Sequence, residues 1–244
     1  MRPVPDAAFT DPRLAALYDR LEGTRPDLDH YVVLLGELDV RSVLDVGCGT
    51  GTFACMLAAE GLEVVGVDPA EASLAIARSK PGADRVRWLH GDATALPPLV
   101  VDAATMTGNV AQVFLTDDDW NSTLRGVAAA LRPGGFFIFE TREPARRAWE
   151  GWTAEQTGSR ADVPDVGPVE VWCDLLGVSL PLVTFRWTYR FVSDGEELTS
   201  VSTLRFRDRD EITASLGDAG FAVEAVRDAP DRPGLELVVV ARVD

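Results

Sequence analysis

The sequence predicts an α/β protein: a mostly parallel seven-stranded sheet with helices on both faces and an antiparallel β addition after strand five. Three observations predict it. Between residues 42 and 138 short apolar runs alternate with amphipathic stretches, as in a parallel sheet with crossover helices. A glycine-rich turn joins the first run to the first helix, and beyond Thr141 the spacing changes to strict alternation.

Ser42 to Val46 reads as a buried first strand, and Thr52 to Glu60 as a helix with Phe53, Met56 and Leu57 on one face and Gly61 as its stop. Leu62 to Val67 is the second strand. It ends at Asp68, because Pro69 has no N–H to give a continuing ladder. Ala70, Leu74 and Ala77 fall at helical spacing until Pro81-Gly82, and Val86 to Leu89 is the third strand. Val100 to Thr107 is the fourth. Thr116, three residues before Asp119, caps a helix reaching about Leu131, its acidic first turn suited to the helix dipole. Arg132-Pro133-Gly134-Gly135 reads as a turn before a fifth strand, Phe136 to Glu140.

Arg142 to Val166 is rich in Arg, Glu, Gly and Pro, and period-two segments follow it. Phe185, Trp187, Tyr189 and Phe191 project to one face of a strand, with Thr184, Arg186, Thr188 and Arg190 on the other. Asp194-Gly195 connects it to a partner from Leu198 to Phe206, and Val169 to Leu175 alternates similarly. Asp210 to Ala219 is then a helix, and Phe221 to Val226 and Glu236 to Val243 are the last two strands.

At 244 residues, 46% apolar, the chain can bury a sizeable core. Its 23 basic and 39 acidic residues give −16 at pH 7, which repels phosphate backbones and anionic lipid, so no nucleic-acid or membrane partner is expected. Apolar runs such as Leu237 to Ala241 fall far short of the ~20 residues of a membrane helix. Met1 to Phe9 holds no sustained apolar run, so no secretory leader is expected and a cytoplasmic location is. Cys48, Cys55 and Cys173 lack metal-ligand spacing and read as free thiols. Lys80 is the only lysine.

The strongest chemical signal is Val43-Leu44-Asp45-Val46-Gly47-Cys48-Gly49-Thr50-Gly51-Thr52-Phe53, a strand running through a glycine turn into a helix. Glycines let the turn close tightly and let a ligand approach the backbone N–H groups at the helix start. The G-x-G-x-G spacing, with Asp45 two residues ahead, suits an amino acid and nucleoside better than a pyrophosphate. Asp68, ending the second strand, can accept hydrogen bonds from both hydroxyls of a ribose. His90-Gly91-Asp92-Ala93 follows the third strand, where an acid can receive an adenine amino group.

Together with Leu131-Arg132-Pro133-Gly134-Gly135, these elements resemble the class I S-adenosylmethionine-dependent methyltransferases, over about Tyr18 to Ile138. The resemblance implies a Rossmann-like fold with S-adenosyl-L-methionine as cofactor. It implies that Gly47, Cys48, Gly49 and Gly51 line the methionine part, with Asp45 near its amino group. Asp68 and Pro69 would meet the ribose, and Gly91, Asp92 and Ala93 the adenine. Tyr18, in Leu17-Tyr18-Asp19, would cover the cofactor, and Thr107, Gly108 and Asn109 would lie beside it. It divides the chain into an N-terminal helical lid (1–40), a cofactor-binding core (41–141), an antiparallel substrate cover (142–207) and a return to the core sheet (208–244). The N-terminus, Thr107-Gly108-Asn109, Glu140-Thr141-Arg142-Glu143-Pro144 and Trp149 together resemble bacterial methyltransferase-like proteins of small-molecule type.

The expected reaction is in-line methyl transfer to an oxygen or nitrogen of a small-molecule acceptor, with no metal. Tyr31, Gln112, Arg142 and Trp149 are the expected acceptor contacts, and His30 the expected base. Two rivals are a cofactor-binding module without methyl transfer and a nicotinamide oxidoreductase; the glycine spacing and Asp92 disfavour the latter.

Overall fold

The computed structural model describes residues 5–244, so Met1 to Val4 of the expected lid lie outside the described residues. Two sheets form the molecule. The larger has seven strands: β1 (Ser42–Val46), β2 (Glu63–Asp68), β3 (Val86–His90), β4 (Val101–Met106), β5 (Leu131–Arg142), β10 (Phe221–Asp228) and β11 (Glu236–Val243). Their order is β10-β11-β5-β4-β1-β2-β3, with β1 to β5 parallel and β11 antiparallel to both neighbours. The strand order reverses between β1 and β4, and an open α/β sheet leaves a crevice for a ligand outside the carboxyl ends at that point.

Side-chain alternation assigns the two faces. Phe137, Phe139, Val239 and Ala241 join the core under α6 (Asp117–Ala130) and α8 (Arg209–Asp218). Ile138, Val238 and Val240 join the opposite core under α3 (Asp29–Glu37) and α4 (Thr52–Ala59). Polar caps start α6 and α8: Thr116 Oγ1 accepts the Asp119 N–H at 3.1 Å, and Asp208 and Glu211 form a reciprocal capping box.

The second sheet is antiparallel, β6 (Ser159–Val163), β7 (Gly167–Ser179), β8 (Leu182–Phe191) and β9 (Glu197–Arg205), joined in that order. The aromatic face of β8 turns inward. Tyr189 and Phe191 pack with Val163, Val169 and Val171 against Leu14 and Leu17 of α2 (Pro12–Glu22), with Trp187 at the margin. The N-terminal helices α1 (Ala7–Thr10) and α2 and the second sheet thus share a core of their own. The remaining helices are α5 (Glu71–Ser79), after β2, and the short α7 (Ala154–Thr157).

Two expectations are corrected. Arg132-Pro133-Gly134-Gly135 is no turn between elements but an excursion within β5, where Val101 pairs with Leu131 and Ala103 next pairs with Phe136. Gly134 takes φ +71°, which absorbs the extra residues. The segment read as irregular before Val166 also contains β6, an edge strand whose exposed residues need no apolar alternation.

Candidate functional site

The glycine turn between β1 and α4 lies at the carboxyl edge, with Gly47, Gly49 and Gly51 at φ +72°, +53° and +76°, a backbone that favours glycine. A Cβ on Gly47 would meet Val110 at 2.7 Å and one on Gly51 would meet Trp88 at 2.5 Å, whereas nothing lies within 4 Å of one on Gly49. The same clear space stands beside Gly91 and Gly108 at the ends of β3 and β4. Asp68 ties this edge together: Oδ2 accepts the Gly49 N–H at 2.8 Å, Oδ1 the Ala70 N–H at 2.7 Å, and its carbonyl the Gly91 N–H at 3.0 Å. Each carboxylate oxygen keeps a lone pair for a further donor. Burial raises its pKa, opposed by the two N–H bonds.

Asp92 caps the short turn at Ala93–Ala95, accepting the Thr94 N–H at 2.8 Å. Pro69 accepts from His90 Nε2 at 3.1 Å in one tautomer, which leaves His90 exposed at the rim. Asp45 lies inside the sheet, 2% exposed, accepting from Thr105 Oγ1 at 3.0 Å, and burial pushes its carboxyl up to about 7. Cys48 is a buried free thiol whose pKa burial raises well above the ordinary value, so it is no ready nucleophile.

A second, buried polar cluster adjoins the ends of β4, β5 and β11. Glu140 continues the Ile138 face of β5 and receives the hydroxyl of Tyr31 and the Asn109 N–H, the latter at 3.1 Å. Asn109, at φ +59° directly after Gly108 at +67°, gives its side-chain N–H to Glu236 Oε1 at 3.1 Å. That bond sets the amide's orientation and leaves Asn109 Oδ1 buried without a partner. Arg142 lies 3.6 Å from Glu236 and donates to Gln112 Oε1 at 2.9 Å, and Arg232 donates to Glu236 at 2.8 Å. Burial raises the pKa of Glu140, with the Glu236 charge adding to the rise.

His30 lies against Tyr31 with ring centroids 3.8 Å apart and planes tilted by 40°, its buried Nε2 has no partner, and burial lowers its pKa. Burial pushes Tyr18 up to about 12, beside the charges of Glu22 and Arg25. Tyr31, Gln112, Arg142 and Asn109 therefore meet in one cluster, with His30 against it. Trp149 stands apart, buried edge-on to Phe206 at 4.7 Å in a small core with Val183 of the antiparallel sheet; Trp152 bridges the two, packing near Phe206 and under Arg142.

Glu236 is a residue of this cluster with no signal in the sequence, and Glu140 appeared only within a motif. Among the described residues no group of three or more His, Cys, Asp or Glu side chains is placed to hold a metal ion, and no helix is long and apolar enough to cross a membrane. A cleft of about 230 Å³ lined by Glu143, Arg146, Arg209, Asp228 and Leu237 lies on the other face of β11 from Glu236, so it is not continuous with the glycine turn.

Residues 43–135 match a family described as a methyltransferase domain. A cypemycin N-terminal methyltransferase of Streptomyces sp is 36% identical over 109 residues, 44% of this chain and 44% of that protein. A ubiquinone biosynthesis O-methyltransferase of Bordetella avium is 36% identical over 110 residues, 44% of this chain and 45% of that protein. The chain thus aligns with less than half the length of these relatives. The S-adenosylmethionine-bound structure of an amino pentose methyltransferase from Micromonospora echinaspora superposes with a TM-score of 0.73 at 23% identity, covering 94% of this chain and 95% of that one.

Proposed function

We propose that this chain is a class I S-adenosylmethionine-dependent methyltransferase that transfers a methyl group from S-adenosylmethionine to an oxygen or nitrogen of a small-molecule acceptor; the match of residues 43–135 to a methyltransferase-domain family supports the reading. The observation that carries the reading is Asp68, bonded to the glycine turn on one side and to Gly91 on the other at the carboxyl edge of the sheet, beside open space at Gly49, Gly91 and Gly108. Asp68 and Pro69 would hold the ribose, Gly91, Asp92 and Ala93 the adenine, and Gly47, Cys48, Gly49 and Gly51 the methionine, with Asp45 facing its ammonium. Tyr18, Thr107, Gly108 and Asn109 would close the site around the sulfur.

When bound, the cofactor supplies a methyl group on a positively charged sulfur, open to in-line attack. The chain's own task is to place an acceptor against it, and positioning can supply roughly 7–11 kcal/mol of barrier lowering. Tyr31, Gln112 and Arg142, with Glu140 and Glu236, form a buried polar wall that selects a polar acceptor; Trp149 would shape that wall through Trp152. Burial keeps His30 neutral at pH 7, and its unpartnered Nε2 is the group to take the acceptor's proton. The relatives' names, one an N-terminal and one an O-methyltransferase, support both acceptor atoms.

Calorimetric titration with S-adenosylmethionine, with NAD as control, tests the reading. Binding of the first alone is expected, and Asp68→Ala should lose it while keeping the wild-type circular dichroism. Binding of NAD, or unchanged affinity in Asp68→Ala, would overturn it.

A further inference from the structure

The only lysine of the chain sits at a junction of three segments. Lys80, at the end of α5, places Nζ 2.7 Å from Asp19 Oδ2 on α2 and donates to Thr52 Oγ1, the first residue of α4, at 2.6 Å. Thr50, between Gly49 and Gly51, donates to Asp19 Oδ1 at 2.6 Å and lies 3.4 Å from Nζ, while Thr52 donates to the same oxygen at 3.3 Å. The hydroxyl of Thr50 is thus held from both sides, and the residue is 3% exposed. The lysine and aspartate side chains are 18% and 32% exposed, so solvent screens the pair less than a surface pair.

This cluster lies between two distinct hydrophobic cores. Leu14 and Leu17 of α2 belong to the core of the antiparallel sheet, whereas Phe53, Ala54 and Leu57 of α4 belong to the core of the parallel one. The side-chain hydrogen bonds between α2 and the glycine turn converge on Asp19, adjacent in sequence to Tyr18. A second polar tie fixes α1 to α5, where Ser73 Oγ donates to the Phe9 carbonyl at 3.0 Å and Phe9 packs against Tyr18 at 5.7 Å. An ion pair and two threonine hydroxyls thus tie α2 to the turn.

We propose that Lys80 and Asp19 are positioning residues for the cofactor: through Thr50 and Thr52 they lock α2, and with it Tyr18, onto the glycine turn and so set how long the cofactor stays bound. The inference rests on the cofactor assignment above and adds to it a residue outside the binding motifs. A lysine suits this position because its ammonium can donate to a carboxylate and two hydroxyls at once.

The test measures the affinity and dissociation rate of S-adenosylhomocysteine, together with thermal unfolding, in wild type, Lys80→Met, Asp19→Asn, Thr52→Val and Lys80→Arg. Lys80→Met and Asp19→Asn should each raise the dissociation rate about tenfold with little change in association rate, Thr52→Val about threefold, and Lys80→Arg should stay within about threefold of wild type. Wild-type rates in Lys80→Met and Asp19→Asn would overturn the proposal, as would a lower melting temperature without faster dissociation. No binding by wild type would instead remove the cofactor assignment on which it stands. Reductive methylation of the single lysine gives an answer even where a variant fails to fold: in wild type, saturating S-adenosylhomocysteine should slow modification of Lys80 several-fold relative to the N-terminal amine. Equal rates with and without it would overturn the proposal.

Discussion

Asp45 carries the clearest single-residue consequence. It lies beneath the glycine turn, and burial pushes its carboxyl from near 4 up to about 7. Between those values the unfolded chain has released the proton while the folded one still holds it, so the group costs stability as pH rises from about 4 to about 7, with no further change above. Each unit of such a shift is worth 1.36 kcal/mol, which bounds the effect at about 4 kcal/mol. Asp45→Asn, which stays neutral in both states, should therefore gain on wild type across that window. Urea unfolding of both proteins at intervals from pH 4 to 8 measures the difference; parallel stability curves would mean that Asp45 is ionised in the folded protein. Asp45, Asp68 and the glycines were legible in the sequence because their chemistry is written in a short spacing. Glu236 was not, since its contact with Asn109 spans 127 residues and an isolated glutamate in an apolar run gives no hint of its partner. The pairing of Asp19 with Lys80 is invisible for the same reason.

Among the elements, α6 is fixed by a close approach. A Cβ on Gly126 would stand 1.9 Å from the Ala93 carbonyl oxygen, so this helix lies directly on the turn that follows Asp92. Gly126→Ala should destabilise the protein by about 3 kcal/mol, since backbone must move to relieve the overlap, and should weaken cofactor binding by displacing Asp92 and Ala93. Gly36 in α3 has nothing within 4 Å of the same atom, and Gly36→Ala should stabilise by about 0.5–1 kcal/mol through the ordinary helix preference. Opposite signs in denaturant unfolding are the expected result; equal effects would remove the close approach from the account. Helices α4, α6 and α8 could be placed from sequence because caps and stops are local signals. Arg132 to Gly135 misled because its residues favour a turn in isolation, whereas β5 is gripped by β4 and β11 on its two sides and passes through the irregularity as one strand. Edge strand β6, with only Val163 buried, carried no pattern to read.

For the whole molecule the dominant fact is charge. Arginine–carboxylate pairs cover the surface, among them Arg13 with Asp194 and Glu196 and Arg190 with Glu170 and Glu197. Exposed pairs of this kind contribute little each, and salt weakens them. Against them stands an excess of 16 negative charges on a 26.4 kDa chain, whose mutual repulsion disfavours the compact state and is also screened by salt. The two effects have opposite signs, and at pH 7 the excess is expected to outweigh the local pairs. Raising the ionic strength from about 0.01 to 0.2 M shortens the screening length from about 30 Å to below 10 Å, removing repulsion across the molecule but only part of the attraction within contacting pairs. The melting temperature at pH 7 should therefore rise with salt, by roughly 2–4 °C for each kcal/mol recovered in a domain of this size. Near pH 4.5, where the net charge vanishes, repulsion is gone and only the pairs remain to be screened, so the rise should disappear or reverse. Calorimetric scans in sodium chloride at the two pH values decide it; a salt-induced fall at pH 7 would mean that the ion pairs, the Asp19–Lys80 junction among them, outweigh the charge excess.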